Sequence, residues 1–173
     1  MMRFVRRFFV VTAVLAFGLV CLSLTTTYLG QLARVEGSAM APTLEDGELV
    51  LVNKLAYQLG APRRDDVVML RYPVNPRKRF VHRLVGEQGD TVRIAGGQVY
   101  VNDVPRADTQ VPDAFRSHDD WGPQVVPEGY CFVMGDHRND SSDSRHWGFV
   151  PVEYVLGRVA YRLTGSRPFS AVR

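Results

Sequence analysis

Residues 8–29, FFVVTAVLAFGLVCLSLTTTYL, follow three arginines (Arg3, Arg6, Arg7), and no further charge occurs until Arg34. An uncharged, mostly apolar run of that length matches one bilayer-spanning helix, about 20 residues. It constrains the rest of the chain, because a segment satisfied by lipid takes no part in a globular core. Thr25 to Thr27 with Tyr28 suit the interfacial end, and the arginines ahead of the run keep the N-terminus in the cytoplasm. A cleaved secretory signal would need a shorter apolar region and a small-residue cleavage site, and Thr25–Leu29 offers none. No second run of spanning length follows. The expected organisation is therefore a cytoplasmic N-terminus (1–7), a single transmembrane signal anchor (8–29) and an extracytoplasmic domain (30–173) in a cytoplasmic membrane.

Beyond Arg34 the periodicity is that of strands. The runs 48–53 and 66–72 are short, apolar and bounded by polar residues or proline. Residues 91–95 and 98–102 flank Gly96-Gly97, which supplies the positive φ of a tight hairpin turn. Residues 129–135 form another strand ending in glycine, while 73–79 and 103–127 read as loops rich in proline and charge. The expected fold is all-β. With 46% hydrophobic and 23% charged residues, extensive disorder is excluded. The net charge of +3 could suit nucleic acid, but the arginines are scattered and no nucleic-acid motif accompanies them. Basic flanks of a membrane segment explain the charge instead. Cys21 lies in the apolar run and Cys131 far along the domain, so no disulfide is expected.

Three stretches invite a chemical reading. VEGSAMAPTL (35–44) has a glycine, small residues and Pro42, a turn able to aim backbone N–H groups at one point as an oxyanion hole requires. Read alone, it is equally a turn leading into a strand. His82 lies in the apolar segment RFVHRLVGEQGD, where a partly shielded imidazole could act as general base, or could be merely structural. GDHRNDSSDSRHWG (135–148) could be a solvated loop, or a set of acids, hydroxyls and arginines bracing a base. His118, His137 and His146 lack any familiar metal-ligand spacing, so neither metal nor cofactor is expected.

Together these stretches resemble the type I signal peptidase family. Its boxes match Gly37–Leu44, Asp65–Val68, Val81–Asp90 and Gly135–Arg145, the last continued by Trp147–Pro151, in the same order and with similar spacing. The resemblance implies an all-β catalytic domain of antiparallel, barrel-like sheets on an N-terminal transmembrane helix. It also implies endoproteolytic removal of signal peptides from secretory preproteins at the bilayer. A serine attacks and a lysine takes its proton, a task desolvation fits a lysine for. Here the serine's position is Ala39 and the lysine's is His82. Histidine in that place resembles the endoplasmic-reticulum and archaeal branch, with Asp143 expected to hold its tautomer. Ser141 matches the serine that contacts the base, and Arg145 the arginine that braces the aspartate. Ser38, Met40 and Pro42 fall in the substrate and oxyanion box. Asp65 stands where the family has glycine, and His137 where it has asparagine.

Alanine in place of the serine has a different consequence. A methyl group forms no acyl-enzyme, and binding with an oxyanion hole alone leaves a residual effect of roughly 10³–10⁴ over water. Ser38 is one residue away, and in extended chain that points its side chain to the opposite side. The chain is thus expected to be an inactive or trapped form of the peptidase. The alternative is a natural pseudoenzyme, a membrane-tethered binder of signal peptides. A self-cleaving repressor relative would share the fold, but the anchor and the lack of a DNA-binding module argue against it.

Overall fold

The computed structural model describes residues 2–28, 30–58 and 60–172, and within the first helix the side chains at 6, 7, 10–20 and 23. Helix α1 (Met2–Tyr28) covers the expected anchor up to Tyr28, while Leu29 lies outside the described residues. All described side chains of α1 are exposed, Phe17 at 72% and Leu15 at 62% among them. Among the described residues no helix is long and apolar enough to cross a membrane.

The chain then runs through β1 (Gly30–Arg34), β2 (Leu49–Asn53), β3 (Val67–Tyr72) and β4 (Asn75–Gly86). Next come β5 (Thr91–Ala95), β6 (Gln98–Val101), β7 (Val104–Pro105) and β8 (Trp121–Val125). It ends with β9 (Tyr130–Met134), the single turn α2 (Ser144–Trp147), β10 (Val150–Pro151), β11 (Val155–Arg162) and β12 (Ser170–Ala171). The main sheet has the order β1-β2-β11-β3-β4-β9-β10, with β12 beside β11, and the second has β7-β6-β5-β8. Every pairing is antiparallel. The all-β expectation holds for the domain. Among the described residues, hydrogen bonding leaves β1 and β10 as ends of the main sheet.

Alternation along the strands explains how three apolar clusters form. In β3, Val67 and Met69 join one cluster with Val50, Val52, Met40 and Leu44, while Val68 and Leu70 join another on the opposite face. In β4 and β9, Leu84, Cys131 and Val133 face that second cluster, whereas Val85, Phe132 and Met134 face the small sheet. Strands covered on both faces need continuous apolar runs, and Leu84-Val85-Gly86 and Cys131–Met134 supply them. Cys131 is a free, buried thiol whose pKa burial pushes up to about 12, so it is inert.

Two segments expected as loops are partly strand. Asn75–Arg79 opens β4, with only Pro73 and Val74 between the paired Tyr72 and Asn75. The long loop after Asn102 contains β7 and β8. Proline and charge suppressed the strand reading at both places, yet proline is tolerated at bulges and sheet margins.

Candidate active site

The stretch around Ala39 is a tight turn locked by packing on one side and polar contacts on the other. Gly37 adopts φ +84°, and its N–H donates to Asp46. The Ala41 N–H donates to the Ser38 carbonyl at 2.9 Å, and the Leu44 N–H to the Met40 carbonyl. Met40 and Leu44 are fully buried plugs in the first apolar cluster. Ala39 is half-buried and Pro42 exposed. Among the described residues nothing accepts from the backbone N–H of Ala39 or Met40. Those two donors are available to a developing oxyanion. The Ser38 hydroxyl instead donates to Asp140 at 2.8 Å, away from that role.

His82 sits on β4 opposite Val68, only 2% exposed, beneath Phe80 and the edge of Trp147. Its Nε2 lies 3.4 Å from Ser141 Oγ, its buried Nδ1 has no partner at full hydrogen-bond geometry among the described residues, and the Ser142 backbone favours the protonated ring. Burial pushes the imidazole below its usual range, with the charge of Asp143 pulling the other way. A neutral imidazole near neutral pH is the form that accepts a proton.

Gly135 joins the two halves. A Cβ built there would lie 2.2 Å from Ser141 Oγ and 2.4 Å from the Ala39 carbonyl oxygen. The same carbonyl accepts from the His137 N–H at 3.0 Å. The turn bearing Ala39 and the serine facing His82 therefore meet across a position that tolerates no side chain.

Asp143 departs from expectation. Its carboxylate accepts from Arg145 Nε and Nη2, both at 2.8 Å, and from the backbone N–H of Arg145 and of Gly135. Four donors use up a carboxylate's lone pairs. Asp143 thus acts on His82 by charge, not through a hydrogen bond that holds its tautomer. Burial alone would raise its pKa, but Arg145 holds it below the usual carboxylate range. Arg145 continues to Asp119 and the Arg138 carbonyl, bracing the loop 113–120.

Sequence reasoning passed over a buried ion pair that ties the site together. Arg83, next to His82, donates through Nε and Nη2 to Asp136 at 2.8 and 2.7 Å, with both side chains almost fully buried. Asp136 also accepts from the Thr43 hydroxyl, and the Thr43 carbonyl accepts from Arg162. Arg83 and Asp136 both lie inside boxes already singled out, but nothing in either box pairs one with the other. The Asp65 carbonyl accepts from Arg83, and Asp65 has φ +74°, which explains a glycine at the matching position of the family pattern.

Among the described residues, two strand edges near the site are unpaired. β1 ends the sheet, and β4 pairs with β9 only from Arg83 onward, leaving the other edge of 75–82 without a strand partner. A cavity of about 540 Å³ lies between them, its apolar part made by Ala33, Met69, Phe80 and Val81. A larger one, about 790 Å³, adjoins Ser141 but has polar, charged walls.

The sequence matches the family described as signal peptidase, peptidase S26, over residues 3–164. This chain belongs to that family. Signal peptidase I of Bacillus caldolyticus is 36% identical over 148 residues, 79% of this chain and 80% of that one. Signal peptidase I of Leptolyngbya laminosa is 33% identical, covering 79% and 70%. The mitochondrial ATP-independent inner membrane protease subunit 1b of Arabidopsis thaliana is 36% identical, covering 82% and 75%. A crystal structure of a signal peptidase I from Enterococcus faecalis, 31% identical, aligns over 57% of this chain and 97% of that one with a TM-score of 0.49. The family is one of serine peptidases, and in this chain the segments carrying Ala39, His82 and Asp143 are linked through Gly135 and Ser141.

Proposed function

We infer that this chain is a type I signal peptidase in form, which seats signal-peptide-bearing preproteins at a membrane and, with Ala39 at the nucleophile position, holds them uncut. The N–H groups of Ala39 and Met40 carry this reading: the turn keeps two donors for an oxyanion while lacking the nucleophile's hydroxyl. The free edges of β1 and β4 suit an extended peptide added as a strand, with small side chains over Ala33, Met69 and Val81. Helix α1, whose described side chains include exposed apolar ones, fits a single-pass anchor over residues 8–29. Arg3, Arg6 and Arg7 would hold residues 1–7 in the cytoplasm, and residues 30–173 would work outside.

In the chemistry of an Ala39→Ser form, the serine attacks the scissile carbonyl and His82 receives its proton, then returns it to the leaving amine. The N–H groups at 39 and 40 steady the oxyanion. Ser141 positions the imidazole, and Asp143, fixed by Arg145, supplies negative charge nearby.

A second reading is a natural pseudoenzyme that binds signal peptides without cutting. It is favoured by the missing His82–Asp143 hydrogen bond, which a working Ser-His-Asp system uses to orient its base. Preprotein cleavage in detergent by this chain and by Ala39→Ser separates the two. In serine proteases losing the nucleophile costs on the order of 10⁶, and losing the orienting aspartate's function roughly 10⁴. A gain of about 10² is therefore the low end expected for the peptidase reading. Binding by both forms with turnover by neither selects the pseudoenzyme. Cleavage by the alanine chain itself would sink the nucleophile assignment.

A further inference from the structure

The hairpin β3–β4 carries a group of cations that form no ion pair among the described residues. Arg71 and Arg79 stand directly opposite each other in its register, both exposed, a like-charge pairing that destabilises a sheet. Between the pairs Tyr72–Asn75 and Arg71–Arg79, residues Pro76, Arg77 and Lys78 have no counterpart on β3 and bulge outward. Elsewhere in the domain eight arginines are each held by a carboxylate. Arg71, Arg77, Lys78 and Arg79 have no such partner among the described residues. At the tip stands Val74, 70% exposed.

An apolar tip behind a cationic collar suits an anionic lipid surface, where the tip enters the interface and the cations meet headgroup phosphates. The hairpin is also placed for it. β1 begins at Gly30, directly after α1, and Arg34 and Glu36 line the same cavity as Arg77, Lys78 and Arg79. The basic end of β4 thus shares a cleft with the segment that leaves the proposed anchor. Aromatic side chains elsewhere in the domain are already engaged: Trp121 packs on Phe132, and Phe115 on His137.

We propose that the β3–β4 hairpin docks on anionic headgroups through Arg71, Arg77, Lys78 and Arg79 with Val74 inserted, fixing how the cleft faces the bilayer. Only the orientation of the cleft rests on the reading of α1 as an anchor; the docking itself does not. The test uses the full chain with Cys21→Ser, reconstituted in phosphatidylcholine vesicles with or without phosphatidylglycerol. An environment-sensitive label is attached at Val74→Cys, at Leu15→Cys in α1, or at Val104→Cys in the other sheet as reference. The expected result is that Val74 reports lipid only when phosphatidylglycerol is present and salt is low, while Val104 reports water throughout. Each surface cation near an anionic leaflet is worth roughly fivefold, so Arg77→Glu/Lys78→Glu/Arg79→Glu should lower the docked-to-undocked ratio by at least about 10². If Leu15 reports lipid and Val74 water in anionic vesicles, docking fails and the anchor stands. If Val74 reports lipid while Leu15 reports water, the anchor fails and docking stands. Both in water removes both. Lipid insertion of Val74 that ignores headgroup charge, or protection by polyglutamate but not by vesicles, also overturns the proposal.

Discussion

Strand β4 is two environments in one element. Its first five residues, Asn75–Arg79, are all exposed, and its last five, His82–Gly86, are all buried. Arg79 and Arg83 are the same residue type four positions apart, yet Arg79 faces another arginine in water while Arg83 is clamped to Asp136 away from it. The difference shows where charge is structural and where it is available. A buried guanidinium is kept by geometry and paired hydrogen bonds, because removing one partner strands the other. An exposed one costs the fold little and is free for something outside the chain.

The sharpest way to break this comparison is the same substitution at both positions. Arg83→Met leaves Asp136 buried with Thr43 as its remaining side-chain partner, and a loss of about 3–5 kcal/mol is expected. Arg79→Met should stay within about 0.5 kcal/mol. Urea midpoints of the full chain in detergent decide it, and equal losses would refute the contrast. Adding Asp136→Leu to Arg83→Met should recover much of the loss.

Next in size is Gly135→Ala, whose Cβ must displace Ser141 or the Ala39 turn. A cost of about 1–3 kcal/mol is expected, and in an Ala39→Ser background cleavage should fall further than stability explains. A neutral result would mean that the two halves of the site do not meet there.

A smaller effect concerns pH, since the charge of Asp143 offsets part of the burial of His82. A histidine whose pKa is lower folded than unfolded binds more protons when unfolded. Its contribution is complete above the unfolded value, about 6.5, and is lost as pH falls through the folded value. The urea midpoint should therefore drop between about pH 8 and about pH 5, less so in His82→Phe. Turnover by Ala39→Ser should show its acid limb below about 6.5. A limb above that would place His82 in a wetter or more anionic setting.

The smallest change sharpens the exposed half. Arg79→Glu replaces a cross-strand repulsion with an attraction to Arg71, and a gain of about 0.2–1 kcal/mol is expected. Loss instead would show that Arg79 already has a counter-charge.

The sequence by itself determined the all-β domain, the hairpin at Gly96-Gly97 and the family. Each of these is written in local pattern: period-two alternation, turn chemistry, and boxes of fixed spacing. It also singled out Ala39, His82 and Asp143 as candidates for one constellation. Pro73 and Pro76 hid the start of β4, because a bulge at a sheet margin accepts residues that would forbid a central strand. β1 and β11 were passed over, and both owe their strand character to the partners β2 and β3. Only the tertiary structure decided where each charge goes. Asp143 looked like the partner of His82, and the arginine two residues along took its lone pairs. Arg83 and Asp136 lie 53 positions apart, and no local pattern says that they will meet. Periodicity is set by backbone geometry and can be read in a line. The pairing of buried charges depends on which strands the fold brings together, and on which donor reaches a carboxylate first.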